Sequence, residues 1–492
     1  MAALNGAGLI RACPRAGLGH RLDAATWAEL ARRPDPPLLA LWAEPTTIHA
    51  VFLDRGAPLP VSLPLSERRF PALSPMRPGA AAAERMIHDL WGIEAWGGQD
   101  GRPLLDHGRW ELINPLSPRP LRRDAPGPVP EFRAPPAAGA HRLEYGPIPA
   151  AIDGPEHRQL ILRGEEVLAA EFRPGYAHRG MLGLMLGKSP RAAARYPARL
   201  AADSTLAHSL AFALAAEGAV GVTLPPRALA LRALLAELER AASHLWHLSR
   251  LAQAAQAPLP AEEALLLREV LLEAAAAAFG RRLPMDLVLP GGLAEDITPE
   301  GPARLQGALA AIGREWPRLR RQAERLARRL AGLGRIDPRL VAQLAAGGPP
   351  ARAAGIDQDL RRLPGYAPYE ELEPRCLIEA GGDAAARCAL WLAEADDSWR
   401  MIRLLVDALP AGPWQVALPA AAGEGLGLVE GPRGPCLAWL RLDGGGLIEA
   451  AFLQDPATAQ LPLLEAALTA APLEAAEVVR ASLPVPAAGM DL

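Results

Sequence analysis

A long amphipathic helix is the feature that most constrains the fold of this chain. Over residues 227–253, small and apolar side chains recur at helical spacing on one face: Leu231, Leu234, Leu235, Leu238, Ala242, Leu245 and Leu248. Two further long helices are predicted over 303–333 and 383–409. Because helices of this length bury their apolar faces against one another, the larger part of the chain is predicted to be mainly α-helical.

Shorter apolar runs on either side of this helical region indicate strands. Before residue 125, three runs alternate with Pro and Gly turns and read PPLLALWAE, TTIHAVFLD and LPVSLPL. A hairpin is predicted around Gly164, and strand-like runs return from 423 to about 452, before a last helix near 460–470. The predicted fold class is α+β, with a small N-terminal α/β domain and a large, mainly α-helical domain that carries peripheral β-hairpins.

A proline-rich stretch separates these two regions. The segment DAPGPVPEFRAPPAAGA (124–140) contains five Pro among small and polar residues, which is typical of an extended linker. We therefore predict a first domain over 1–124, a linker over 125–140 and a second domain over 141–492.

Composition excludes several classes of partner and compartment. Lys and Arg number 52 against 55 Asp and Glu, so the net charge of −3 gives no global attraction for nucleic acid. The first residues lack the pattern of a signal peptide, and no run of 18 uncharged apolar residues occurs, so we expect neither secretion nor a membrane span. The four cysteines form no CxxC pair, which favours the reducing cytoplasm: Cys13, Cys376, Cys388 and Cys436.

Motifs in the N-terminal region resemble one subunit of complex I. ERMIHDLWGIEAWGGQDGRPLL (84–105), followed by PLRRD (120–124), resembles the signature of the 30-kDa-type NADH dehydrogenase subunit. That resemblance implies a small α/β domain in the peripheral arm of a respiratory complex.

Motifs in the larger region resemble the large subunit of nickel-iron hydrogenases and its relative, the 49-kDa-type subunit of complex I. They are GPIPAAIDGPEH (146–157), GYAHRGM (175–181), PPRALALRALLAELERAASHL (225–245), ARAAGIDQDLRRLPGYAPY (351–369), GDAAAR (382–387) and VEGPRG (429–434). The large subunits of membrane-bound group 4 hydrogenases, of the formate-hydrogenlyase type, join the two regions in this order. The resemblance therefore covers about 84–492.

The nickel-iron ligands of that family are missing from the sequence. An active site needs four thiolates, because soft sulfur ligands hold the two metals. The first pair belongs to a segment in which Arg199 and His208 keep their register, but Ala201 and Ser204 stand at the cysteine positions. The second pair would lie near the end, yet ASLPVPAAGMDL (481–492) has no cysteine. We expect no metal to be bound here.

Two further departures affect residues that the family uses in chemistry. The glutamate that follows GYAHRGM in hydrogenases, and moves protons there, is Leu182. The histidine that can donate a hydrogen bond to a quinone head group in complex I relatives is Pro149. Both reactive ends of the pocket are altered, whereas the surrounding scaffold motifs remain.

Arg433 and His208 lie near the expected pocket, and each could have a structural role or contact a ligand. Arg433 matches the arginine over the metal site in active relatives, and it is expected either in an ion pair with Asp357 or Glu430 or on an anionic or quinone-like ligand. His208 follows a helix start of capping type and is expected to tie its helix to a neighbouring loop, the alternative being a bond to a ligand in the former metal pocket.

Other patterns are interpreted as structural. His244 and His247 are spaced i, i+3, but without a third ligand nearby they favour a scaffold over a metal pair. The repeat of glycines at 423, 425 and 427 lacks the context of a nucleotide loop and is interpreted as a turn. Cys376 and Cys388 are expected to pack as small apolar side chains.

The leading hypothesis is a peripheral-arm subunit of a membrane-bound, hydrogenase-like or complex I-like oxidoreductase without a nickel-iron centre. Five residues are the candidates to line a pocket for quinone or another electron acceptor: His178, Arg179, Asp203, His208 and Arg433. The missing ligands imply no directly bound cofactor. The resemblance implies iron-sulfur clusters in a small partner subunit, and attachment to the cytoplasmic side of the inner membrane through antiporter-like and other membrane subunits. The alternative is a purely structural scaffold between iron-sulfur and membrane subunits, and an active hydrogenase is disfavoured.

Overall fold

The N-terminal region is built around one mixed sheet. The computed structural model describes residues 5–132, 139–148 and 154–492, with Ala16 described by its backbone alone. Its elements are α1 (Gly6–Arg11), β1 (Arg15–Ala16), β2 (Gly19–Arg21), α2 (Ala24–Ala31), β3 (Leu38–Glu44), β4 (Thr47–Asp54), β5 (Ala57–Pro64), β6 (Arg69–Pro71), α3 (Ala80–Trp91), β7 (Glu94–Trp96), β8 (Leu112–Ile113) and β9 (Leu121–Arg122). The five strands β1-β2-β5-β4-β3 form the sheet in that order, and β2 pairs with β5 in parallel.

The three predicted runs of this region form β3, β4 and β5. Every residue of β3 is buried, because both faces of the strand are covered. Leu41 and Ala43 belong to the N-terminal core, whereas Leu39 and Trp42 belong to the large core shared with the rest of the chain. The sheet is therefore packed on both sides, and β3 lies between the two cores.

A small antiparallel sheet follows the proline-rich stretch. Among the described residues of 125–140 there is no helix or strand. The next strands are β10 (His141–Tyr145), β11 (His157–Arg163) and β12 (Glu166–Arg173), which pair in that order. The predicted hairpin is confirmed, since β11 and β12 turn at Gly164, whose φ is +61°.

Helices dominate the middle of the chain. They are α4 (Met181–Met185), α5 (Pro190–Ala193), α6 (Thr205–Val220), α7 (Pro226–Ala254), α8 (Pro258–Phe279), α9 (Gly301–Arg329), α10 (Pro338–Gln343), α11 (Pro349–Ala353), α12 (Tyr369–Leu372) and α13 (Ala384–Asp407), with the two-residue strands β13 (Val288–Leu289) and β14 (Gly292–Leu293) between α8 and α9. The three predicted long helices are α7, α9 and α13. No described helix is long and apolar enough to cross a bilayer.

Four of these helices form a bundle. α7 packs against α8 and α13, and α9 packs against α8 and α13. α7 begins with Pro226, a residue that the first turn of a helix tolerates. Asp383 caps α13 by accepting a hydrogen bond from the amide of Ala386 at 2.9 Å. The mixture of helix bundle and small sheets confirms the predicted α+β class.

The chain ends in a three-stranded sheet and three helices. They are β15 (Gly423–Glu430), β16 (Pro435–Leu442), β17 (Ile448–Gln454), α14 (Ala457–Leu468), α15 (Ala476–Ser482) and α16 (Ala488–Asp491). The interpretation of the glycine repeat as a turn is wrong, because these glycines lie in β15 and face α6. A Cβ added at Gly425 would lie 1.8 Å from the backbone oxygen of Ala215, so glycine lets the strand contact the helix backbone directly.

Candidate functional site

The segment that aligns with the first pair of metal ligands forms a buried loop before α6. Ala201 and Ser204 are 1% and 0% exposed. Ser204 does not cap α6 through its side chain, contrary to the expected helix start. Glu239 of α7 takes that role, since its carboxyl oxygens accept the amides of Leu206 at 2.6 Å and Ala207 at 3.0 Å. Burial raises the pKa of Glu239 to about 8, despite these two hydrogen bonds.

Arg433 lies in the turn between β15 and β16 and is paired with two aspartates. Its Nη1 and Nη2 atoms donate to the two carboxylate oxygens of Asp455 at 2.8 and 2.7 Å. Its Nε atom lies 2.9 Å from Oδ2 of Asp203, an ion pair that is not aligned as a hydrogen bond. The guanidinium is 2% exposed, so both partners are needed to offset its loss of hydration.

The expected partners of Arg433 are wrong. Glu430 is bound to Arg352, with an Nη1–Oε1 distance of 2.9 Å, and Asp357 is bound to Arg362 at 2.9 Å. Because each of these carboxylates already has an arginine of its own, Asp455, directly before α14, supplies the acceptor for Arg433.

Asp455 joins three parts of the fold. Besides Arg433, it accepts the Nε2 proton of His208 at 2.7 Å and the amide of Ala457 at 2.8 Å. Burial would raise the pKa of Asp455, but the charge of Arg433 and the bond from His208 outweigh it and hold this pKa far below its usual range. His208 thus ties α6 to the beginning of α14.

The carboxylate of Asp203 is also kept ionised by its neighbours. Burial would raise its pKa, but Arg433 and the Nε2 proton of His247, 3.3 Å away, lower it to about 2. His244 is directed elsewhere, to Glu394 at 2.9 Å, and burial lowers its pKa to about 4. The described part of the chain contains no group of three or more His, Cys, Asp or Glu side chains placed to hold a metal ion.

His178 and Arg179 contact the last residues of the chain. Nδ1 of His178 donates to the backbone oxygen of Asp491 at 2.6 Å, and Arg179 donates through Nη2 to that of Ala488 at 2.8 Å. The carboxylate of Asp491 accepts the amides of Gly175 at 2.5 Å and Ala177 at 2.7 Å. The GYAHRGM loop is therefore fastened to α16.

α16 also contacts the ion pair between Arg433 and Asp455. A Cβ added at Gly489 of α16 would lie 2.4 Å from Cγ of Asp455, so the helix rests against the Arg433 pair as well as against His178 and Arg179. The structure thus brings together Asp203, His208 and Arg433, whereas His178 and Arg179 bond to backbone oxygens of α16 and, for Arg179, also of Arg199 and Leu200. Leu182 is buried in α4, and Pro149 lies outside the described residues.

A cavity of about 280 Å³ opens beside this cluster. It lies between α7, α8 and the loop that follows α8. Of the five predicted pocket residues, Asp203 is the one that lines it, and its side chain is 18% exposed.

The side chains at the positions aligned with the family's metal ligands do not fit a nickel-iron centre. Ala201 has no donor atom and Ser204 offers a hydroxyl. Cys436 lies nearby, with its sulfur 3.8 Å from Nε2 of His208, but burial raises the pKa of its thiol far above the usual range. A single thiol cannot replace the four thiolates that hold the two metals. Cys376 and Cys388 lie elsewhere, Cys376 bonding to Asp357 at 2.6 Å and Cys388 buried in α13.

Sequence reasoning did not identify Asp455, Glu239 and Asp491. Asp455 precedes Pro456 at the start of a helix, and an Asp–Pro pair is a recognised signal of a helix N-terminus. That signal locates the cap but not its partners, because His208 and Arg433 approach it from distant segments.

Comparisons with known proteins define the class. Residues 46–131 match the family described as Respiratory-chain NADH dehydrogenase, 30 Kd subunit, and residues 262–423 match the family described as Respiratory-chain NADH dehydrogenase, 49 Kd subunit. The chain therefore has the fused 30-kDa and 49-kDa arrangement of complex I-type proteins, which confirms the resemblance found in the motifs.

Individual relatives agree with this class. The D 2 subunit of NADH-quinone oxidoreductase from Salinispora arenicola (strain CNS-205) is 31% identical over 302 residues, 60% of this chain and 77% of the relative. Formate hydrogenlyase subunit 5 of Escherichia coli (strain K12) is 27% identical over 403 residues, 77% of this chain and 69% of the relative. The chain belongs to the family of the 49-kDa subunit of respiratory-chain NADH dehydrogenase, joined to a 30-kDa-type region.

A solved structure shows the same fold. A chain from the membrane-bound sulfane sulfur reductase, an archaeal respiratory membrane complex, matches with a TM-score of 0.68 and 23% identity, covering 73% of this chain and 100% of that chain.

Proposed function

We propose that this chain is a peripheral-arm subunit of a membrane-bound oxidoreductase of the hydrogenase and complex I class, and that it carries no nickel-iron centre. Family membership supports the first part of this proposal. The observation that carries the second part is the pairing of Arg433 with Asp455 and Asp203 beside Ala201 and Ser204. Arg433 corresponds to the arginine that lies over the metals in active relatives. In this chain its guanidinium is paired with the carboxylates of Asp455 and Asp203.

The same geometry favours a structural role for most of the predicted pocket residues. His178 and Arg179 use their hydrogen bonds on backbone oxygens, and His208 uses its bond on Asp455. These bonds tie α6 to the start of α14 and the GYAHRGM loop to α16, which suits a scaffold that joins an iron-sulfur partner to membrane subunits. We place such a complex on the cytoplasmic side of the inner membrane.

Co-purification with metal analysis tests this proposal. Complexes containing the full chain would be isolated from mildly solubilised native membranes, and their subunits identified by mass spectrometry. We expect an iron-sulfur subunit, antiporter-like subunits, iron and no nickel. Nickel in a fixed ratio to the chain would overturn the loss of the metal centre, and a lone soluble chain would overturn its place in a complex.

An electron-acceptor pocket is the second candidate function, and one observation favours it. Asp203 keeps part of its carboxylate exposed to the cavity beside α7 and α8, so a quinone head group could approach the old metal position from that side. Solvent extraction of the purified complex followed by mass spectrometry would detect bound quinone. A stoichiometric quinone supports the pocket, and a quinone-free complex with full electron-transfer activity supports the scaffold alone.

A further inference from the structure

The cavity beside Asp203 has an apolar body and a basic mouth. Its body is lined by side chains from α7 and α8: Leu235, Leu238, Ala242, Leu271, Leu272 and Ala275. Arg268 of α8 lines the same cavity, together with Arg281 and Arg282 from the loop after α8. This arrangement, in which an apolar pocket has a few polar groups at one end, is typical of sites for amphipathic small molecules.

Arg268 has no acceptor among the residues that the structure describes. Its Nε atom is buried without a hydrogen-bond partner, and its guanidinium lies over the ring of Trp246 at 5.4 Å. The other two arginines differ, because Arg282 is paired with Glu269 and Arg281 lies 3.8 Å from Glu295. The buried Nε donor of Arg268 thus lacks an acceptor, and an unpaired buried donor costs free energy.

Neither of the two carboxyl groups that line the cavity bonds to Arg268. Asp203 is paired with Arg433 and His247 on its other side. Glu239 accepts two backbone amides of α6, and burial raises its pKa to about 8, so it is mostly protonated at neutral pH. Arg268 is therefore the one lining arginine for which the described residues supply no carboxylate partner, which suits a ligand that brings a single negative charge.

We propose that this cavity binds a single-chain amphiphile with a carboxylate head, with the head on Arg268 and the chain along the leucines of α7 and α8. The planar guanidinium presents parallel N–H groups that match the two oxygens of a carboxylate. A phosphate with two charges would fit less well, because Arg268 supplies one positive charge and the other lining arginines already have carboxylate partners. This inference does not rest on the proposed function.

Isothermal titration of the full-length chain with decanoate tests the proposal. Decanol has the same chain without the charge, and a short-chain quinone has a neutral head of different shape. We expect decanoate to bind at least about tenfold more tightly than either, because hydrogen bonds to charged groups contribute that much. In Arg268→Gln the affinity for decanoate should fall about tenfold, whereas Arg314→Gln, at an exposed position on α9, should leave it unchanged.

A second variant locates the apolar chain. Ala275→Phe fills the body of the cavity without touching the charge, and we expect it to abolish binding while circular dichroism shows an intact fold. Equal affinities for decanoate and decanol would overturn the proposal, and so would undiminished decanoate binding in Arg268→Gln. Tighter binding of the quinone would favour the electron-acceptor pocket instead, whereas the subunit and metal content of the native complex would be unaffected by any of these outcomes.

Discussion

Arg433 and Asp455 form a bidentate ion pair in which both nitrogen–oxygen distances are below 3 Å and both side chains are almost fully buried, at 2% and 0% exposure. The pair lies next to Ala201 and Ser204, the positions that the motif register aligns with metal ligands. Because Asp455 also accepts the proton of His208, a single carboxylate connects the β15–β16 turn, α6 and α14.

Removing this carboxylate should destabilise the whole chain. Asp455→Ala leaves the buried charge of Arg433 with Asp203 alone, and loss of one partner from a buried pair costs about 3–5 kcal/mol. Urea denaturation followed by circular dichroism measures the change. The double variant Arg433→Met, Asp455→Leu should lose less stability, because the guanidinium is removed together with its carboxylate partner. The control is Asp124→Asn at an exposed position, and equal stability of Asp455→Ala and the control would contradict the prediction.

The long helices could be predicted from the sequence because their signal is local. The 3.6-residue period of α7 and the caps of α13 are complete within each helix, and the predicted bounds differ from the observed ones by a few residues. The predicted domain boundaries at 124–125 and 140–141 stay predictions. α8 was not predicted, although it forms one wall of the cavity.

The partners within the site could not be predicted, because they are far apart in sequence. His208 and Asp455 are 247 residues apart, and no local pattern joins them. The interpretation of the glycine repeat as a turn was wrong for a related reason. Glycines that alternate along a strand have the same composition as a glycine-rich turn, and only the packing of α6 against β15 explains why they are glycine. Motif register located Asp203, His208 and Arg433 in one region, but it could not show which carboxylate each contacts.

Adding a methyl group to the glycine face of β15 should disrupt the contact with α6. In Gly425→Ala the new Cβ would lie 1.8 Å from the backbone oxygen of Ala215, so the strand or the helix must move. We expect a loss of about 3 kcal/mol or more, at the upper end for overpacking, because the clash is with backbone. Thermal unfolding by circular dichroism measures it. Gly444→Ala is the matched control, since nothing lies within 4 Å of its Cβ position, and equal melting temperatures would refute the predicted clash.

The contact between the N-terminal sheet and the C-terminal sheet should depend on Glu44. This buried carboxylate accepts bonds from Arg441 of β16 at 2.6 Å and from His49 at 2.8 Å, beside Trp42, whose ring stacks on Phe452 with centroids 4.9 Å apart. Glu44→Ala should cost about 1–3 kcal/mol, because charge-assisted hydrogen bonds are lost.

Limited proteolysis reports this contact directly. When the sheets separate more often, a protease should cut the region around 125–140 faster in Glu44→Ala than in the native chain. Glu262→Ala changes an exposed glutamate on α8 and should leave the rate unaltered. Identical cleavage rates for the two variants would show that Glu44 does not hold the sheets together.

Asp491 should make stability depend on pH between about 4 and 6. Burial raises the pKa of its carboxyl to about 6, and the bonds from the amides of Ala177 and Gly175 offset this only in part. An unfolded aspartate has a pKa of about 3.9, so within this window the folded chain keeps a proton that the unfolded chain has released. The free energy of unfolding therefore falls by up to about 3 kcal/mol as the pH rises through this window. Above about pH 6, Asp491 no longer makes it depend on pH.

Asp491→Asn separates this effect from the other carboxyl groups. Asp203 and Asp455 act in the opposite sense, because their lowered pKa values stabilise the fold above about pH 4 and that stability is lost as the pH falls further. They are present in both proteins, so they cancel when urea unfolding of the native chain is compared with that of Asp491→Asn at each pH. We expect the variant to gain relative stability steadily from pH 4 to 6 and then hold it. Parallel stability curves across that range would mean that Asp491 is already ionised in the folded chain at pH 4.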